Sequence, residues 1–374
     1  MSVRAPRSLP LVDLAALHRE LGGELERAVL EVIRSQRFIG GPAVASFEER
    51  FASYLGADAV VAVANGTDAI ELAVRASLID PGAEVLVPAN TFVGTAAAVV
   101  AAGAVPRFVD VDERSGLIDL DSCEQQICSR TQAVIPVHLY GRMADMRAVK
   151  ALASRHGLIV IEDAAQAVGA RSDEGFASTI GDVGTFSFYP GKNLGAFGDA
   201  GAVVSSDRAI ADRLRLLRDH GQRGHANHEA IGRNSRMDPI QAAVLTVKLA
   251  HLDDFTQRRR RAAEWYRELL PEHLPDWQAD DPRSDVHHLL PIFSEDRDSL
   301  ASELALAGVQ TGVHYPRTVP QTGAFEGYEG SYPSAERRAR RQLSLPMHPH
   351  LTRADVELIA DLVQSFTPAA LETQ

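Results

Sequence analysis

The sequence predicts an α/β fold, with a mostly parallel seven-stranded sheet flanked by helices and then a smaller α/β C-terminal domain. Three observations predict it. From about residue 58 to 205, short β-branched runs alternate with Ala-rich helical stretches, the pattern of strands joined by crossover helices. At 374 residues the chain exceeds what one core serves, since single cores stop growing near roughly 250–300 residues. Composition shifts after about Ile240, and the Pro-rich polar stretch 271–285 reads as a connector into a second unit.

The apolar runs place strands at residues 59–64, 84–87, 105–109, 133–137, 158–162, 184–188 and 201–205. Helical periodicity lies between them at 68–77, 91–101 and 146–155. One long amphipathic helix is expected over 239–267, because Leu245, Leu249, Leu252 and Phe255 recur at helical spacing. The second unit carries a strand near 288–293, helices near 296–307 and 353–365, and a His-Tyr-Pro turn at 314–316. The domains divide as 1–255, including the N-terminal segment, and 256–374. In an open parallel sheet, ligands gather beyond the carboxyl ends of the strands. The polar clusters described next all fall there.

A formal net charge of -12 disfavours nucleic-acid binding, which needs a basic surface to displace phosphate counterions. The basic run Arg258 to Arg261 sits in a helical pattern and reads as a solvated helix face. Cys123 and Cys128 are too few for a disulfide scaffold and fit a reducing cytoplasm. Asp13 interrupts the apolar stretch after Arg4 and Arg7, so no signal-peptide core forms. The longest apolar run, 93–105, falls short of the ~20 residues that cross a bilayer, so no membrane anchor is expected.

Three segments carry chemistry. Asn65-Gly66-Thr67-Asp68 follows a strand and opens a helix, where unpaired backbone N–H groups and the positive dipole end suit an anion. Taken alone, an ordinary helix cap is the simpler reading. Glu162-Asp163 ends an apolar strand, where a carboxylate can pair with a cation held in a cleft; a helix cap, a salt bridge or a metal are its rivals. In Ser187-Phe-Tyr-Pro-Gly-Lys192-Asn193 a strand runs into a Gly- and Pro-shaped loop with a lysine at its tip. A lysine in a partly dry pocket loses basicity and becomes an amine nucleophile able to form an imine, although loop lysines are usually solvated. A Walker-A loop fails because Phe186 occupies the first Gly position and Asn193 follows the lysine. The glycines of 195–201 miss the GxGxxG spacing, which weakens a nicotinamide-linked sugar oxidoreductase. His225 and His228 lack a nearby carboxylate pattern, so no metal site is expected.

The order of the pieces says more than any one. Asn65-Gly-Thr-Asp-Ala69, Thr91-Phe-Val93, Pro136-Val-His-Leu-Tyr-Gly141, Glu162-Asp-Ala-Ala-Gln166, Ser187-Phe-Tyr-Pro-Gly-Lys-Asn193 and Gly232-Arg-Asn-Ser-Arg-Met-Asp-Pro-Ile-Gln-Ala-Ala243 together resemble the DegT/DnrJ/EryC1/StrS family of sugar aminotransferases. The resemblance implies the fold type I of enzymes dependent on pyridoxal 5'-phosphate (PLP), a homodimer with sites at the subunit interface, and a cytoplasmic enzyme. It implies that Lys192 holds PLP as a Schiff base and, once released, moves the proton between substrate and cofactor. Asp163 would keep the pyridine nitrogen protonated and Gln166 would bond the ring hydroxyl. Phe92 would cover a ring face, although core packing is its plain alternative. Gly66, Thr67 and Ser187 would hold the phosphate, joined by Asn234 of a neighbouring subunit. Asn193, His314 and Tyr315 are similar to the substrate-side positions, whereas His138 reads as a structural histidine.

Within the family, residues 190–201 and 234–243 look most like enzymes that aminate C3 of a dTDP-3-keto-6-deoxyhexose with L-glutamate as donor. Ala200 and Met237 depart from that pattern, where Gly and Leu are usual. Amination at C4 of a 4-keto-sugar, or of a keto-cyclitol, therefore stays open. A family dehydratase would carry His in place of Lys192, and a non-catalytic PLP-binding regulator is the reading from another class.

Overall fold

The computed structural model describes residues 8–224, 226–274, 281–328 and 330–367. His225 and residues 275–280 of the expected connector lie outside the described residues. Two helices not anticipated from the sequence come first, α1 (Leu14–Ser35) and α2 (Pro42–Leu55). The main alternation follows as β1 (Val60–Val63), α3 (Gly66–Ala76), β2 (Glu84–Pro88), α4 (Val93–Ala101), β3 (Val105–Val109), α5 (Leu120–Gln126), β4 (Thr131–Val134), α6 (Met146–His156) and β5 (Ile159–Asp163). A short hairpin, β6 (Arg171–Ser172) and β7 (Gly175–Phe176), leads to β8 (Val183–Ser187), β9 (Gly201–Val204) and α7 (Arg208–Leu217).

The seven-stranded sheet has the order β1-β9-β8-β5-β4-β2-β3. The run from β8 to β3 is parallel, and β9 pairs antiparallel with both β1 and β8. Successive residues of one strand point to opposite faces, and both faces are covered. Val60 and Ala62 join one core while Val61 and Val63 join the other; Leu86 likewise faces away from Val85 and Val87. That double burial is why these strands read as continuous apolar runs.

The single long helix expected over 239–267 is two helices, α8 (Pro239–Leu249) and α9 (Leu252–Leu269). The chain breaks at Ala250-His251, where the amide of Ala250 turns back tightly onto Val247. Asp253 and Asp254 then occupy the first turn of α9, where the dipole favours carboxylates. Leu245, Leu249, Leu252 and Phe255 are all buried, so the apolar spacing runs through the break and conceals it.

The basic run on α9 is not a solvated face. Arg258 forms two hydrogen bonds to Glu20 at 3.0 and 2.9 Å, Arg259 is buried and donates to Met347 O at 2.7 Å, and Arg260 donates to Asp285 O at 3.1 Å. Consecutive residues lie about 100° apart around a helix, so only part of such a run can face water. The inward members tie α9 to segments that follow it.

The rest of the chain forms β10 (Leu290–Phe293), α10 (Arg297–Leu306), α11 (Pro333–Arg341), β11 (Gln342–Leu345) and α12 (Arg353–Ser365), with β10 and β11 paired antiparallel. Their core includes Ala262, Ala263 and Tyr266 from α9, whereas Phe255 packs with Leu21, Leu25 and Val244. We propose on that ground that the boundary between the domains runs through α9 near residue 255. Leu9 departs from the expected division: it packs in the C-terminal core and exchanges backbone hydrogen bonds with Gly308 and Gln310. Among the described residues no helix is long and apolar enough to cross a membrane.

Candidate active site

The carboxyl ends of β1, β2, β5 and β8 open onto one cleft of about 640 Å³. At the end of β1, Asn65 caps α3 by accepting from the amide of Asp68 at 2.8 Å, and Ala69 N–H closes the first turn on Asn65 O. Among the described residues the amides of Gly66 and Thr67 have no acceptor and stand as open donors at the positive end of the helix. A side chain at residue 66 has no room, because its Cβ would lie 2.6 Å from Ser187 Cβ. Gly66, Thr67 and Ser187 therefore form a tight cradle in the wall of the cleft.

At the end of β5, Asp163 is only 3% exposed. Its Oδ1 accepts from Ala165 N at 3.0 Å and its Oδ2 from Thr95 Oγ1 at 2.8 Å; the Thr95 hydroxyl also meets Thr91 Oγ1 at 2.9 Å. These bonds stabilise a charged carboxylate in a dry site. Behind it, Glu162 is wholly buried and accepts from the amides of Ser178, Ile180 and Gly181. His138, likewise buried, gives its Nε2–H to Glu162 at 2.9 Å while Nδ1 accepts from Ala144 N at 3.0 Å. Its backbone N–H donates to Asp163 O at 2.9 Å. Of the acidic pair, Glu162 thus anchors the backbone and Asp163 faces the cleft.

Lys192 rises from the loop after β8, with its backbone N–H on Tyr189 O at 2.8 Å. Its side chain makes no hydrogen bond among the described residues, and it lines the cleft with Asp163. Burial depresses the amine to about 8, against the opposing pull of the Asp163 carboxylate. Half the amines are then neutral near pH 8, and only the neutral form attacks a carbonyl. The rate at which cofactor-free protein captures the PLP aldehyde is expected to rise roughly tenfold per pH unit below that point and to level off above it. Stopped-flow absorbance checks this, and a rate still climbing past pH 10 would return the amine to ordinary basicity.

The remaining walls include Phe92 just before α4, Gln166 beyond β5, and His314 and Tyr315 from the C-terminal region. Phe92 is 53% exposed, and its ring centre stands 5.7 Å from that of Tyr315. Gly94 gives Phe92 its space, since a Cβ there would lie 2.9 Å from the Phe92 ring. Gln166 accepts from Tyr140 N at 2.6 Å and donates to Tyr315 Oη at 3.2 Å, which leaves one amide hydrogen uncommitted. His314 lines the cleft, bonds Ser344 Oγ at 2.9 Å and is held neutral by burial, down to about 4.

The structure thus brings Gly66, Thr67, Phe92, Asp163, Gln166, Ser187, Lys192, His314 and Tyr315 to one cavity. Asn193 is not among its lining residues: its amide donates to Val286 O at 3.0 Å and its oxygen meets His288. Asn234 is exposed and also stands outside this cleft. Sequence reasoning missed Thr95 and His288. The pair Thr91 and Thr95, four residues apart in an otherwise apolar stretch, was the available signal for the first. His288 showed only as the start of a strand.

The cleft fits PLP on its own chemistry. Its lining combines a cradle at a helix N-terminus that admits no side chain, a buried carboxylate and an amine of lowered basicity. When bound, that cofactor supplies an aldehyde for the amine and an electron sink for the substrate carbon.

Comparison with known proteins agrees. A profile of the DegT/DnrJ/EryC1/StrS aminotransferase family matches residues 19–364. The chain is 45% identical to a dTDP-3-amino-3,4,6-trideoxy-alpha-D-glucose transaminase of Streptomyces venezuelae, covering 98% of each. It is 41% identical to a pleiotropic regulatory protein of Geobacillus stearothermophilus, over 96% of this chain and 98% of that one. Among solved structures, S. venezuelae DesV in complex with a ketimine intermediate superposes with a TM-score of 0.92 at 45% identity, covering 96% of this chain and 98% of DesV. With the fold, the cleft and the whole-length match in agreement, the chain belongs to the DegT/DnrJ/EryC1/StrS aminotransferase family, whose aminotransferases depend on PLP.

Proposed function

We propose that this sugar aminotransferase moves an amino group from L-glutamate to C3 of a dTDP-linked 3-keto-6-deoxyhexose, in deoxyaminosugar biosynthesis. The observation that carries the reading is an unpartnered, weakly basic Lys192 sharing a cleft with the buried Asp163. The S. venezuelae transaminase, matched over nearly the whole chain, supports the sugar and the carbon. Lys192 acts as nucleophile and then as the base that carries the proton. Asp163 keeps the pyridine nitrogen charged, Gln166 uses its uncommitted hydrogen on the ring hydroxyl, and Phe92 covers a ring face. Gly66, Thr67 and Ser187 hold the phosphate. His314 and Tyr315 face the sugar.

A second copy of the chain completes the site in this reading. Asn234 stands outside its own cleft, and next to it Ile231 is 89% exposed, a large apolar side chain suited to burial between subunits. The acidic chain works in the cytoplasm. The name of the Geobacillus relative favours a regulatory role, whereas the Lys192–Asp163 arrangement argues for turnover.

The test starts from enzyme loaded with the amino form of the cofactor. Each of a panel of dTDP- and UDP-linked 3-keto and 4-keto sugars is added, and the cofactor's visible absorbance is followed. A dTDP-3-keto-6-deoxyhexose is expected to restore the band fastest. Faster response to a 4-keto sugar would overturn the C3 assignment, and silence toward every sugar would favour the regulator.

A further inference from the structure

Tyr140 occupies a turn beyond β4 with its backbone in the left-handed region, φ 64° and ψ 2°, although it carries a bulky side chain. A side chain crowds the backbone there, so the conformation persists only where neighbouring contacts over-determine it. Tyr140 is buried, and each of its polar groups is tied to a different segment. Its N–H donates to Gln166 Oε1 at 2.6 Å, and its carbonyl accepts from Leu289 N at 3.1 Å. Its hydroxyl lies 2.7 Å from Gln342 Oε1 and 3.0 Å from His314 O. At the next residue, Gly141, a Cβ would lie 2.7 Å from His288 N, so the turn is pressed against the C-terminal region.

These bonds close a ring along the wall of the cleft. A backbone N–H can only donate, so Oε1 is the accepting end of Gln166 and Nε2 the donating one. Nε2 donates to Tyr315 Oη at 3.2 Å, and His314, the residue before Tyr315, returns to the Tyr140 hydroxyl through its carbonyl. Gln342 Nε2 donates to that same carbonyl. Tyr315 Oη, accepting from Gln166, keeps its own hydrogen to give. Gln166, His314 and Tyr315 line the cleft, whereas Tyr140 is not among its lining residues and reaches it only through them. From a strained turn that fastens Gln166 on one side and the His314–Tyr315 segment on the other, we infer that Tyr140 is a positioning residue for the sugar. Its N–H sets which end of the Gln166 amide donates, and its hydroxyl, with Gln342, holds Tyr315 ready for substrate. A segment ordered in advance spares the substrate the cost of ordering it, so the loss of that anchor weakens binding. The inference rests on the reading that Tyr315 faces the sugar.

Two measurements test it. In cofactor-free protein followed by hydrogen–deuterium exchange, peptides spanning 312–319 are expected to exchange about tenfold faster in Tyr140→Phe than in wild type, the worth of one hydrogen bond. Peptides of β5 should be unchanged. Exchange at 312–319 equal to wild type overturns the proposal whatever the sugar. In loaded enzyme, Tyr140→Phe is expected to raise the keto-sugar KM about tenfold while kcat stays within about threefold, because the Tyr140 N–H and Gln166 are untouched. A residue that served stability alone would lower the melting temperature and the active fraction without moving KM. Adding Gln342→Leu to Tyr140→Phe should cost no more than Tyr140→Phe alone, since the buried oxygen left without a donor is removed with it. Effects that multiply would make the two residues independent and overturn the shared anchor. If Tyr140→Phe does not fold, Gln342→Leu takes its place and should show the same two changes. Faster exchange with an unmoved KM would take Tyr315 away from the sugar, which sinks that reading and leaves the anchor standing.

Discussion

Lys192→Ala is expected to lower turnover by at least about 10⁴-fold, because in the proposed reaction one side chain supplies both the nucleophile and the proton carrier. Purified wild-type protein should be yellow, with an absorbance band that borohydride abolishes as it reduces the imine to a stable amine adduct on Lys192. The variant should lack that band and release its cofactor on dialysis. The loop that presents the lysine should survive, since the lysine backbone N–H on Tyr189 O does not depend on the side chain. Far-ultraviolet circular dichroism should therefore match wild type closely, and thermal melting should match that of cofactor-free wild type. Retention of a borohydride-trappable band in Lys192→Ala would place the amine of this enzyme elsewhere. Lys248 is the internal control: it too is buried and depressed to about 8, but its ammonium is committed to Gly195 O at 2.6 Å.

The second large effect is expected at Asp163, where Asp163→Asn removes a charge and little else. The new amide oxygen can still accept from Ala165 N, and the Thr95 hydroxyl can turn from donor to acceptor, so the local network closes again. What is lost, in the proposed reaction, is the anion that would keep the pyridine nitrogen protonated, and with it the electron sink for the substrate carbon. Removing one such electrostatic partner in a dry site commonly slows chemistry by about 10²–10³-fold. The loss should appear in single-turnover proton transfer with glutamate more than in cofactor retention, because the Gly66–Thr67–Ser187 cradle is untouched. A single-turnover rate equal to wild type would remove Asp163 from the chemistry.

Much of the architecture was legible from local pattern. Each of the seven expected strands has a counterpart in the sheet, the boundaries shifting by a few residues, as with β4 at 131–134 in place of 133–137. Buried on both faces, these strands have to be apolar throughout, and that constraint is written in consecutive residues. The α8–α9 break was not legible, because the apolar spacing continues through it. The burial of Arg259 was hidden for a similar reason, since its acceptors His287 O and Met347 O belong to segments distant in sequence. Strand β11 and helices α1 and α2 likewise take their meaning from what they pack against.

The chain by itself determined the alternation of strand and helix, the phosphate-suited turn at Gly66, the acidic strand end and the lone loop lysine, all of them encoded within a few consecutive residues. Only tertiary structure decided that Asp163 faces the cleft while Glu162 anchors the backbone, that Thr95 and His288 join the site, and that Asn193 turns from the cleft toward His288. Those assignments depend on groups tens to hundreds of residues apart meeting within hydrogen-bond distance. Hydrogen bonds act over about 3 Å, so no pattern along the chain can report them until the fold has brought their partners together.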